Sequence, residues 1–123
     1  MRQDYAMGNY VQKLGQARFT SEDRERLINI LQDLNRKKEY KQETLHMAGS
    51  IADRYLRIIL AKNNQPIPNL YCLGATCMLM AAKLEQPISP SFNRMIALLP
   101  SYEQKKFKKQ DLINLEEKIL IAL

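Results

Sequence analysis

The chain has 123 residues, 46% of them apolar and 26% charged, with a formal net charge of +6. That length suits one domain, large enough to bury a core without cross-links. The longest apolar run ends at Lys83 and is too short and too interrupted to span a bilayer. The opening residues are polar and lack a signal-peptide core, so an intracellular location, nucleus or cytoplasm, is the expectation.

The pattern is helical throughout, with no alternating strand signal, no low-complexity segment and no internal repeat. Residues 3–14 carry Tyr5, Met7, Tyr10, Val11 and Leu14 in a weakly amphipathic array before Gly15. They predict an N-terminal helix in an extension over residues 1–20. Thr20 and Ser21, followed by Glu22 and Asp23, form a helix start: a hydroxyl cap, then acids at the positive end of the dipole. The first helix proper runs from there to Lys38, with Leu27, Ile30, Leu31 and Leu34 on one face. Its last turn, Arg36-Lys37-Lys38, has the favourable sign for a C-terminus.

A second helix spans about 42–61, with Leu45, Ala48, Ile51, Ala52, Tyr55 and Ile59 as its stripe. Asn63, Asn64, Pro66 and Pro68 mark the loop after it. The third helix starts near Asn69 and is apolar on nearly every face until Lys83-Leu84-Glu85. A helix apolar all round belongs at the centre of a bundle, and its charged end must then reach the surface. Gly74 lies inside it, at a cost of about 1 kcal/mol against alanine, tolerable where another helix passes close by. Ser89 and Pro90 predict a cap and a first-turn proline for a short fourth helix that Pro100 ends. The fifth covers about 108–123, with Leu112, Leu115, Ile119 and Leu123 inward. The expected fold is all-α: five helices around a central apolar one, preceded by the N-terminal helix.

Cys72 and Cys77 lie on one predicted helix, about 140° apart around its axis. That geometry disfavours a disulfide between them, and both read as small core residues. With His46 as the single histidine, no zinc set can be assembled, and no metal or cofactor is expected. Two basic clusters, Arg36-Lys37-Lys38 and Lys105, Lys106, Lys108 and Lys109, supply much of the net charge. Acids are interspersed and no aromatics interleave with them as in a stacking platform. They read as solvated helix ends, and nucleic acid is not the expected partner. No nucleophile–base pair and no phosphate loop is visible, so neither an enzyme nor a small-molecule site is expected.

Four charges depart from the outward-facing pattern. Arg24 leads into the inward face of the first helix, Asp53 sits among Gly49, Leu56 and Leu60, Glu116 adjoins the stripe of the last helix, and Lys83 closes the third. Buried, such groups must pair or lie at a contact surface; the plainer reading of the pattern is four partly exposed charges at helix ends or flanks.

The same positions carry a resemblance to a known family. Glu43-Thr44-Leu45-His46-Met47-Ala48, with Ala52-Asp53-Arg54-Tyr55-Leu56, resembles a stretch of the cyclin box. Leu73-Gly74-Ala75-Thr76-Cys77-Met78, then Ala81-Ala82-Lys83-Leu84-Glu85, resembles its central helix. Lys109-Gln110-Asp111-Leu112, through Leu115-Glu116, to Ile119-Leu120-Ile121-Ala122-Leu123 is similar to its closing helix. The similarity covers residues 21–123 and implies a single cyclin box there.

The resemblance implies roles that spacing alone does not supply. Arg24 and Asp53 would form an internal ion pair. Lys83, Glu116 and Glu85 would meet a cyclin-dependent protein kinase beside its mobile helix. The implied function is a regulatory subunit that activates such a kinase and controls cell-cycle progression. The alternative is a cyclin-fold adaptor in transcription or scaffolding, without kinase activation. Two departures stand out. The apolar run that opens the first helix in many cell-cycle cyclins is here Asp23-Arg24-Glu25-Arg26-Leu27, which argues against a greasy substrate groove. The family's paired glutamates after the lysine are here Glu85-Gln86.

Overall fold

The structure is a computed structural model that describes residues 19–62, 66–88 and 90–123. The predicted N-terminal helix falls outside the described residues. Within them lie six helices and no strand: α1 (Ser21–Lys38), α2 (Gln42–Lys62), α3 (Leu70–Glu85), α4 (Phe92–Ala97), α5 (Ser101–Gln104) and α6 (Lys109–Ala122).

Local chemistry sets most of the boundaries. Thr20 and Asp23 close a reciprocal capping box: the Asp23 amide donates to Thr20 Oγ1, and the Thr20 amide to Asp23 Oδ2, both at 3.1 Å. Two donors left orphaned by the first turn are thereby met. The end of α1 is a left-handed residue, Glu39, at φ 55°. The side chain of Asn35 donates to the Tyr40 carbonyl at 3.2 Å and holds the turn into α2. The side chain of Asn69 accepts from the amides of Tyr71 and Cys72, at 2.8 and 3.2 Å, and starts α3.

Every residue of α3 from Cys72 to Ala82 is buried. The helix packs most extensively on α2, then on α1 and α6, so the apolar rod is the hub of the bundle. Thr76 survives in this interior because its hydroxyl donates to the Cys72 carbonyl one turn back, at 2.8 Å. Gly74 is where α1 crosses: a Cβ there would stand 2.8 Å from Ile30 Cγ2, closer than carbon atoms can approach. The glycine therefore trades helix propensity for helix–helix contact. Both cysteines are free and buried. Burial raises the Cys72 thiol to about 11 and pushes Cys77 up further.

Two expectations need correction. The cap of α4 is Ser91, whose Oγ accepts from the Arg94 amide at 3.2 Å. Ser89, the expected cap, lies outside the described residues, and Pro90 precedes the cap rather than opening the helix. The second correction is α5, a four-residue helix that the sequence reading passed over as loop. Pro100 does not simply end α4, which stops at Ala97; it is the residue from which α5 begins. Gln104 ties α5 back by donating to the carbonyls of Ala97 and Leu99, at 3.1 and 2.7 Å. One turn is too short to show a hydrophobic period: the Glu103 and Gln104 amides close it on the Pro100 carbonyl, at 2.9 and 3.0 Å, and the Gln104 side chain ties it to the end of α4.

Candidate partner-binding surface

The last turn of α3 leaves the core abruptly. Ala81 and Ala82 are fully buried, whereas Lys83, Leu84 and Glu85 are exposed. The change occurs because α6 and α4 flank the end of α3 without covering it. Lys83 Nζ lies 2.6 Å from Glu116 Oε2 on α6, a residue 33 positions away in sequence. The ammonium also sits over the Phe92 ring, 5.0 Å from its centroid, a cation–π contact from the first residue of α4. Glu116 is the more enclosed partner, with 16% of its side chain exposed against 43% for Lys83. The acid is thus braced in a shallow seat and the cation leans over it from the rim.

Exposed apolar side chains lie close to the pair in sequence and are not needed by the core. Leu84 is 69% exposed and Ile88 85%, on the chain that leaves α3; Leu120, one turn beyond Glu116, is 61% exposed. A charged pair flanked by unburied aliphatics is the composition of a contact surface, where apolar area awaits cover and polar groups set orientation. Sequence reasoning named Lys83, Glu116 and Glu85 but passed over Phe92, Leu84, Ile88 and Leu120. A signal was present: apolar residues continue past Lys83, where a buried helix has no further use for them.

Glu85 stands exposed at the end of α3. The neighbouring Gln86 is turned inward: its Nε2 donates to Thr44 Oγ1 at 2.7 Å, and its amide caps the Ala82 carbonyl at 2.9 Å. Where the resemblance has a second acid, this chain has a side chain spent on joining α3 to the first turn of α2.

The other cross-helix pair is looser than a buried strut. Arg24 Nη2 and Asp53 Oδ2 are 3.7 Å apart, with 36% and 31% of their side chains exposed. Burial raises the Asp53 carboxyl above its ordinary value, and the charges of Arg24 and Arg57 offset this only in part. The resemblance implies an internal strut, whereas the residue pattern alone reads as partly exposed charges on helix flanks; the exposure here fits the second, because the seam between α1 and α2 is open. Among the described residues no group of side chains could hold a metal ion, and no helix is long and apolar enough to cross a membrane.

This geometry can be set beside known proteins. A family profile described as "Cyclin, N-terminal domain" matches residues 2–123. The chain belongs to the cyclin family. The match starts well before residue 21, where the similar motifs begin. Among relatives, the G2/mitotic-specific cyclin-B3 of Mus musculus is 31% identical over 109 residues, 89% of this chain and 7% of that protein. The G2/mitotic-specific cyclin-2 of Antirrhinum majus is 31% identical over 97 residues, 79% of this chain and 20% of its own length. A putative cyclin-A3-1 of Arabidopsis thaliana is 28% identical over 115 residues, 94% of this chain and 30% of that protein. The chain therefore spans less than a third of these relatives. The fold is the all-α cyclin box, built around its third helix.

Proposed function

We propose that this cyclin box binds the catalytic subunit of a cyclin-dependent protein kinase through the last turn of α3 and the facing turn of α6, and that binding activates the kinase. The observation that carries the reading is the 2.6 Å pairing of Lys83 with Glu116 at the exposed end of α3, with exposed Leu84 and Leu120 on the same two helices. An ammonium has three N–H donors and a carboxylate accepts through two oxygens, so both can bond to a partner's backbone while still touching each other. The pair presents a donor and an acceptor side by side, which matches unpaired C=O and N–H groups in a partner's backbone where a loop meets a helix. Leu84, Ile88 and Leu120 would supply the apolar contact that excludes water from those bonds.

Activation on this reading involves no chemistry by the cyclin. The box binds the kinase conformation whose mobile helix has moved inward, and by binding it preferentially raises its population. Glu85 contributes at the rim, and Gln86 does not.

The test is reconstitution of the chain with a cyclin-dependent kinase catalytic subunit, read out as phosphorylation of a peptide substrate. Activation is expected with the wild-type chain and lost with Lys83→Glu and with Glu116→Lys. The double charge swap is the discriminating arm. It restores the internal ion pair and the stability but reverses both polar groups toward the partner, so activation stays lost. Capture of the kinase without activation would favour the adaptor reading. Absence of capture by the wild-type chain would end the kinase reading.

A further inference from the structure

A second surface lies along the outer seam of α1 and α2 and shares no lining residue with the Lys83–Glu116 pair. It is a cavity of 580 Å³. Gly49 lies on its floor, and a Cβ placed there would meet nothing within 4 Å, so the space beside it is open and would accept a side chain. Ile28, Leu31 and Leu45 make the apolar wall at one end. At the other end Arg24, Arg54 and Arg57 line it, three guanidiniums to the one lining carboxylate, Asp53, whose charge acts with both Arg24 and Arg57. Arg24 adds a buried Nε that has no acceptor, a donor whose hydrogen bond is unmet. Lining residues run from Gln42 to Arg57 along α2, about 22 Å at the helical rise. That reach suits six or seven extended residues.

We propose that this groove docks an extended acidic peptide of a partner protein, with its carboxylates on the Arg24, Arg54 and Arg57 end and an apolar side chain over Gly49. The charge of the lining selects this occupant. A second copy of this chain carries the same net charge of +6 and is repelled. The chain's own residues 1–18 contain Arg2, Lys13 and Arg18 against Asp4 and are no electrostatic complement. The apolar wall and the vacant Gly49 floor distinguish a peptide from a polyanion, which needs charge but no pocket.

The experiment is selection of random decapeptides displayed on phage against the immobilised full chain at physiological salt. The enriched consensus is then synthesised with a fluorophore and titrated by anisotropy. Enriched peptides are expected to carry two or more acids a few residues from an aliphatic or aromatic side chain. Gly49→Leu fills the floor and Arg54→Glu reverses the rim; each weakens binding at least tenfold. Lys83→Glu leaves binding unchanged. Circular dichroism checks that the variants stay folded, and exposed Arg54 keeps the test decisive if Gly49→Leu disturbs the seam. Three results would overturn the proposal: enrichment of peptides without acids, no enrichment, or a consensus that binds Gly49→Leu as tightly as wild type. A mixed-sequence DNA duplex that outcompetes the peptide at equal salt and is indifferent to Gly49→Leu would also overturn it, by reducing the site to bare charge.

Discussion

Among the described residues two cation–carboxylate pairs bridge helices, and their environments make them different objects. Lys83 and Glu116 meet at 2.6 Å with an aromatic ring beneath the cation and unburied Leu84 and Leu120 on the same two helices. Arg24 and Asp53 stand 3.7 Å apart in an open seam, and the carboxyl of Asp53 is raised by burial despite two nearby guanidiniums. Surface pairs contribute little stability of their own, so a close geometry at the first pair is hard to explain by folding alone. The second is neither buried enough to be a strut nor exposed enough to be free of desolvation. Charge pairs must be read through what surrounds them, because desolvation decides whether Coulomb attraction counts.

The sharpest way to separate the pairs is a function readout. On the proposed function, Lys83→Glu lowers affinity for the kinase subunit by more than a hundredfold, about 3 kcal/mol, as for a charge removed from a desolvated interface. Arg24→Ala changes that affinity less than threefold. Calorimetric titration of both variants checks this, and equal losses would erase the distinction between the pairs.

Stability should rank them the other way. Asp53→Ala is expected to cost about 1 kcal/mol in urea unfolding, the upper range for a partly exposed pair. A buried strut would cost about 3–5 kcal/mol, so a loss of that size would show the seam to be closed in solution. Glu116→Gln keeps the shape and one acceptor oxygen and should cost about 0.5 kcal/mol by the same measurement.

The smallest effect is one of pH. Because burial raises the Asp53 carboxyl above its ordinary 3.8, the folded chain holds that proton more tightly than the unfolded chain. Its ionised form is then a cost above the raised value. That cost is relieved as pH falls through the folded value and is gone below the unfolded one. Wild type should therefore gain stability relative to Asp53→Asn on acidification through this window. Parallel denaturation curves would show it, and the opposite slope would mean that the arginines outweigh desolvation.

How much of this was legible beforehand depends on the range of each interaction. The Thr20 start, the Asn69 start and the basic last turn of α1 were readable because caps and dipoles act within one turn. Gly74 could be assigned to a close helix crossing, and Ile30 proves to be what crosses it. The start of α4 is less legible, since two serines flank one proline and only backbone geometry shows that Ser91 supplies the cap. The vacancy over Gly49 had no local signature; it follows from how far apart α1 and α2 settle.

Residue order by itself determined that this protein is helical and that its third helix is the hub, because an apolar surface on every side of a helix can be satisfied only by enclosure. It also determined family, through motifs whose order and spacing recur. Only the tertiary structure decided that Lys83 and Glu116 touch, that Gln86 turns inward to Thr44, and that a basic groove opens beside Gly49. Those features depend on the distance and rotation between packed helices, and side chains from the whole core set these together.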